Sequence, residues 1–154
     1  MISFVIPLYN KSETIIYCIE SIFKNITSSS FEIIVVDDFS TDGSFEITKK
    51  RFSCNRQVKI FRNTKNRGRS YTRNKGVRYS SYENIFFLDA DDNVVQKLDF
   101  LFSLSLSNNQ VITFGYSCPK INKLHNYFRY FKLFHFRYNV LFFYALGFYL
   151  PSCS

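Results

Sequence analysis

Phe31-Glu32-Ile33-Ile34-Val35-Val36-Asp37-Asp38 is an apolar run, broken only by Glu32, that stops at two carboxylates. A short run so uniformly apolar reads as a strand buried on both faces, the form strands take in a parallel sheet. Two further runs have the same shape. Ile2 to Pro7 leads into Leu8-Tyr9-Asn10, and Ile85 to Leu88 leads into Asp89-Ala90-Asp91-Asp92. Val58 to Phe61 supplies one more strand. Between them, Lys11 to Lys24 carries apolar residues at helical spacing through Ile15, Ile16, Ile19, Ile22 and Phe23, with Ser12 expected to cap the helix and Glu13 in its first turn. Ser44 to Phe52, behind the turn Ser40-Thr41-Asp42-Gly43, and Ser70 to Tyr79 read as two further helices. Strand and helix alternate, which predicts an α/β fold: a mostly parallel sheet with helices on both faces. After the acids, Val94 to Leu106 is expected to be helical and Val111 to Tyr116 to be a strand.

In such sheets ligands sit beyond the carboxyl ends of the strands. Pro7 to Asn10, Asp37-Asp38 and Asp89 to Asp92 all follow strand ends, so three distant segments are expected to meet at one crevice. Three carboxylates at one strand tip repel one another, and a divalent cation shared with phosphate oxygens would relieve that repulsion. The alternative is a solvated turn capping the next helix.

With 154 residues, 46% hydrophobic and 21% charged, the chain has enough apolar material for one core and is not a disordered segment. Its net charge of +8 is unevenly placed. Every Asp and Glu lies at or before Asp99, whereas Lys120, Lys123, Arg129, Lys132 and Arg137 follow it. The expected division is residues 1–118 as the α/β domain and 119–154 as a basic, aromatic tail. That tail interleaves its bases with Tyr127, Phe128, Tyr130, Phe131 and Phe134, a mixture suited to an anionic membrane surface. Its apolar end, Tyr138 to Leu150, falls short of the ~20 residues a spanning helix needs. Lying on a membrane, packing on a partner and forming a poorly ordered remnant remain open for it. Cys18, Cys54, Cys118 and Cys153 form no C-x-x-C pair and read as reduced thiols. With no basic, apolar leader before Ile2, the expected location is the cytoplasm, with peripheral contact at the cytoplasmic membrane face.

Four blocks now stand in order. They are Ser3 to Asn10, Phe31 to Gly43, Asn66-Arg67-Gly68-Arg69-Ser70-Tyr71-Thr72-Arg73-Asn74-Lys75-Gly76, and Phe87-Leu88-Asp89-Ala90-Asp91-Asp92. Their order and spacing over about residues 2 to 116 closely resemble the nucleotide-sugar-binding half of family 2 glycosyltransferases, which implies a GT-A fold, Rossmann-like and here incomplete.

The resemblance implies roles residue by residue. Pro7 and Tyr9 match the segment lining the nucleotide base, and Asp38 matches the acid that accepts a hydrogen bond from it, while Asp37 is left to hold the turn. Asn66, Gly68 and Arg73 match the loop and helix edging the donor site, where glycine permits close backbone approach and arginine meets phosphate. Asp89, Asp91 and Asp92 match the D-x-D type motif, a site for Mn2+ or Mg2+ and ribose. The extra acid leaves two registers, of which Asp91 and Asp92 as metal ligands is preferred. Implied partners are a nucleoside diphosphate sugar, a UDP-sugar foremost, and a glycan or lipid-linked acceptor. The implied reaction is inverting, metal-dependent sugar transfer in surface polysaccharide or lipopolysaccharide synthesis.

The chain departs from the family pattern in one respect. No Asp or Glu follows Asp99, so the acceptor-side base has no candidate, and His125 and His135 have no acid to orient them. The catalytic residue is therefore unassigned, and a truncated, inactive nucleotide-sugar-binding remnant stands as an alternative to an active transferase. A nucleic-acid-binding domain is a second alternative, motivated by Arg62, Lys65, Arg67, Arg69 and Arg73; it leaves the strand-end acids unexplained, and no nucleic acid is expected. G-x-G-x-x-G after the first strand and a G-x-x-x-x-G-K-[ST] loop are both absent, which disfavours a dinucleotide dehydrogenase.

Overall fold

The computed structural model describes residues 1–103, 110–113, 129–132 and 139–141. The strands are β1 (Ile2–Leu8), β2 (Phe31–Asp37), β3 (Val58–Arg62), β4 (Asn84–Phe87), β5 (Gln110–Thr113), β6 (Arg129–Lys132) and β7 (Asn139–Leu141). The helices are α1 (Ile15–Asn25), α2 (Ser44–Phe52) and α3 (Arg69–Tyr79), with a 3-10 helix over Asp99–Ser103. Five strands form one parallel sheet in the order β3-β2-β1-β4-β7, and β5 pairs with β6 antiparallel. The α/β architecture expected from the alternating pattern is the one observed.

Every residue of β1 and β2 is buried, as their largely apolar character requires, and the polar Ser3 and Glu32 are hydrogen-bonded to each other at 2.7 Å. Side chains alternate across the sheet. Phe4, Ile6 and Leu8 face one layer, joined by Ile15, Cys18, Ile19 and Ile22 of α1 and Phe52 of α2. Val5, Ile34, Val36, Ile85 and Phe87 face the other, where Val77 of α3 packs on them. Helix α3 comes unusually close to the sheet. A Cβ on Gly76 would lie 2.3 Å from Cγ1 of Val5, a buried and stiff β-branched side chain.

Three expectations need correction. Helix α1 begins at Ile15, not at Lys11, and Ser12 does not cap it; Thr14 occupies the cap position without a side-chain cap bond. The reason is tertiary: the Ser12 N–H donates to Asp42 Oδ2 (2.9 Å) and the Thr14 hydroxyl donates to the Ala90 carbonyl (2.9 Å). Residues 94–98 are not helical, because α1 takes up their backbone groups. Val94 N–H donates to Ser21 Oγ, its carbonyl accepts from Asn25 Nδ2, and Leu98 N–H donates to the Asn25 carbonyl. Their apolar content goes into the core all the same, through Val94, Leu98 and Leu101. Residues 104–106 lie outside the described residues.

The strand expected over Val111 to Tyr116 corresponds to β5, with 114–116 outside the described residues. Within the stretch read as a tail, β6 and β7 are described, and β7 extends the main sheet beyond β4; the rest of 119–154, including most of its aromatic end, lies outside. Among the described residues no helix is long and apolar enough to cross a membrane. Cys18 is buried and Cys54 exposed, both unpaired.

Gly76→Ala is expected to destabilise the protein by about 1–3 kcal/mol, the range for overpacking a filled core. Urea unfolding checks this; unchanged stability would mean that α3 does not rest on Val5 as described.

Candidate functional site

The loops after β1 and β2 are built on each other. Asn10 (φ 49°) and Phe39 (φ 67°) each turn the chain through the left-handed region directly after their strands. The Asn10 N–H donates to Ser40 Oγ (3.0 Å), Thr41 N–H returns to Asn10 Oδ1 (2.9 Å), and Lys11 N–H donates to Ser44 Oγ (2.8 Å). Asp42 accepts from the Ser12 and Ser44 N–H groups and from the Ser44 hydroxyl. Some desolvation opposes its ionisation, but the donors prevail and hold its carboxyl at about 2. The turn Ser40 to Gly43 is thus structural, with Asp42 rather than a helix-cap serine fixing the start of α2.

Asp37 closes the same turn, as expected. Its carboxylate accepts from Ser40 N–H (3.1 Å) and pairs with Arg62 Nε (3.1 Å). Burial pushes its carboxyl up, against the Ser40 and Arg62 contributions. Arg62 in turn lies over the rings of Phe39 and Phe45, at 5.4 and 4.8 Å.

Asp38, only 3% exposed, reaches from the end of β2 to the loop before α3. Oδ1 accepts from Asn63 Nδ2 (2.7 Å) and Arg67 N–H (2.8 Å), and Oδ2 accepts from Gly68 N–H (2.8 Å). Desolvation works against the carboxylate, yet these donors together hold it below the usual carboxylate range. Asn66 Oδ1 accepts the same Gly68 N–H at 3.1 Å. Gly68 sits at φ 85°, ψ 160°, a conformation that L side chains rarely adopt, while a Cβ there would meet nothing within 4 Å. Backbone conformation, rather than close approach within the fold, is what demands glycine at 68.

The third segment follows β4. Arg73 Nη2 donates to Asp89 Oδ1 (2.6 Å), and Arg69 lies 3.5 Å from Oδ2. Lys11 Nζ pairs with Asp91 Oδ2 at 2.7 Å. No ion pair or hydrogen bond reaches the Asp92 carboxylate among the described residues. Desolvation, then repulsion from Asp89 and Asp91, pushes it up to about 6, with Arg69 and Lys11 opposing. Behind the acids, Cys18 donates through Sγ to the Asp89 carbonyl (3.5 Å), and burial followed by the same three charges pushes its thiol up.

These segments enclose a cleft of about 270 Å³ lined by Pro7, Leu8, Tyr9, Lys11, Asp38, Asn66, Gly68, Arg69, Thr72, Asp89, Ala90 and Asp91. Of the residues singled out from sequence, Pro7, Tyr9, Asp38, Asn66, Gly68, Asp89 and Asp91 line it. Arg73 reaches it through Asp89, and Asp92 is outside the lining. Lys11, Arg69 and Thr72 were not singled out. Lys11 read as the start of a helix, and Arg69 as one more base in a basic loop.

Among the described residues, three or more acids, histidines or cysteines do not gather as ligands round one point. A divalent ion there would have few protein ligands, with Asp91 and Asp92 the expected pair and the remaining positions left to oxygens of a ligand. The residues fit that limited role. Their donors are hard oxygens, and the Asp92 carboxylate has no ion-pair partner among the described residues.

The chain matches the family model for glycosyl transferase family 2 over residues 3–154. It is similar to the UDP-Glc:alpha-D-GlcNAc-diphosphoundecaprenol beta-1,3-glucosyltransferase WfgD of Escherichia coli, 34% identical over 75% of this chain and 45% of that protein. S. aureus TarS 1-349 in complex with UDP-GlcNAc shares the fold, with a TM-score of 0.67 at 22% identity over 80% of this chain and 37% of the other. So does the mannosyltransferase PcManGT of Pyrobaculum calidifontis in complex with GDP-Man and Mn2+, with a TM-score of 0.67 at 19% identity over 77% of this chain and 36% of the other. The fold is that of the GT-A glycosyltransferases. The chain spans roughly a third to a half of the length of curated relatives that it matches.

Asp38→Asn is expected to cost about 2 kcal/mol at pH 7, since it weakens charge-assisted bonds to a loop. Asp38 has a native value below its unfolded one. The wild-type advantage is therefore complete above the ordinary carboxylate value and is lost as pH falls through the depressed native value. Urea unfolding of both proteins at pH 7 and near pH 3 tests this, and a gap that does not narrow on acidification would contradict it.

Proposed function

This chain belongs to glycosyl transferase family 2, and on that premise we propose that its cleft binds a nucleoside diphosphate sugar, a UDP-sugar foremost, as donor for inverting transfer to a glycan or lipid-linked hydroxyl. Surface polysaccharide synthesis at the cytoplasmic membrane face is the proposed setting. The observation that carries the reading is one cleft shared by the ends of β1, β2 and β4 and the loop before α3.

Each lining residue has work to do in it. Tyr9, 47% exposed, offers an aromatic face to a base. Asp38 holds Arg67 and Gly68 in place through their N–H groups and would accept a hydrogen bond from the base edge. Asn66, Gly68 and Arg69 form the wall on which ribose and phosphate would rest. Asp89, fixed by Arg73, orients the acid segment; Asp91 and Asp92 would hold Mn2+ or Mg2+. A divalent ion bound there would supply Lewis-acid neutralisation of the charge that develops on the departing diphosphate.

The role assigned to these residues is donor binding and leaving-group stabilisation. Deprotonation of the acceptor hydroxyl has no carboxylate candidate in this sequence after Asp99. A second reading is a chain that binds the donor without turning it over. Nucleic-acid binding is less favoured, because three of the five bases that suggested it already have acid partners: Arg62 with Asp37 and Glu46, Arg69 and Arg73 with Asp89.

Calorimetry with UDP and the full chain is expected to show binding in Mn2+ that weakens about tenfold in excess chelator, a change of about 1.4 kcal/mol. Asp91→Asn and Asp92→Asn should each lose the metal-dependent part. No heat with UDP under either condition would overturn the donor-site reading. Adding a lipid-linked acceptor and following UDP release then separates an active transferase from a donor-binding chain.

A further inference from the structure

We propose that Lys11 is an exchangeable counter-cation of the cleft: it holds Asp91, releases it to a divalent ion, and turns its ammonium to the donor diphosphate. This rests on the donor-site reading and assigns that site a residue whose charge changes partners.

The three acids after β4 are neutralised in three different ways. Asp89 is gripped from the α3 side by Arg73, which is 18% exposed in its side chain and lies over the ring of Phe87 at 5.7 Å, with Arg69 nearby. That arrangement is packed and hydrogen-bonded, so Asp89 is not readily freed. Asp92 has no ion-pair partner among the described residues. Asp91 lies between these extremes, held among the described residues by Lys11 alone at 2.7 Å, with both side chains close to half exposed (42% and 47%). Exposed lysine–carboxylate pairs are weak, and an ammonium is a compact point charge on a flexible stem, without the planar fork that locks an arginine onto a carboxylate.

The root of Lys11, by contrast, is fixed. Its N–H donates to Ser44 Oγ, its carbonyl accepts from the Thr14 and Ile15 N–H groups, and the residues on either side are bonded to Ser40 and Asp42. Only the side chain has freedom, and it lines the same cleft as Tyr9, Gly68 and Arg69. Charge balance gives the exchange its direction. Asp89, Asp91 and Asp92 face Lys11, Arg69 and Arg73, three charges of each sign. A divalent ion on Asp91 leaves two positive charges in surplus and Lys11 without its carboxylate, and a diphosphate brings the negative charge that the ammonium then meets.

The test compares wild type with Lys11→Met and Lys11→Gln, using electron paramagnetic resonance of free Mn2+ for metal affinity and calorimetry for UDP. Without nucleotide, both variants are expected to bind Mn2+ about fivefold more tightly, the scale of an exposed ion pair. With Mn2+ saturating, both are expected to bind UDP about fivefold more weakly. If wild type binds UDP with Mn2+ but the variants match it in both measurements, or bind Mn2+ more weakly, the Lys11 assignment is wrong and the donor site stands. If wild type binds neither Mn2+ nor UDP, both fall.

Discussion

Parallel pairing of β1 with β2 on one side and β4 on the other fixes the direction of all three strands, and with it the edge on which their following loops emerge. Leu8 stands opposite Asp37 and Val5 opposite Phe87, so Tyr9, Asp38 and Asp89 leave the sheet as neighbours although they are far apart in the chain. Burial on both faces keeps that register, because a slip by one residue would turn Phe4, Ile6 and Leu8 out of one layer and Val5 out of the other. The cleft is a consequence of the register.

What the sheet brings together, polar groups then hold apart at working distances. Asp38 is neutralised mainly by N–H donors, Asp89 by two arginines, and Asp91 by one lysine, while Asp92 keeps a carboxyl pushed up to about 6. The gradient runs from the buried acid at the end of β2 to the exposed one beyond β4. Groups near the sheet are committed to structure, and those at the mouth have weaker partners or none among the described residues.

Much of this was legible in the sequence because it rests on simple signals. Largely apolar runs, two of them ending in acids, gave β1, β2 and β4 to within a residue or two, and four blocks in order gave the cleft's main lining. What was not legible depends on partners remote in sequence. Ser12 has the chemistry of a cap, but Asp42 claims its N–H. Val94 to Leu98 has helical composition, but Ser21 and Asn25 of α1 take its backbone bonds. Lys11 gave no signal of its own, since only the fold reveals that its side chain reaches Asp91.

Membership of glycosyl transferase family 2 rests on the family match, and the solved structures share the fold. The central claim is that three strand ends make one site. Isotope-labelled protein titrated with UDP and Mn2+ tests it most directly, through paramagnetic broadening of backbone amide signals. The account predicts that signals of Tyr9, Gly68 and Ala90 broaden together at low metal occupancy. Broadening confined to one of these segments, or centred away from all three, would contradict it.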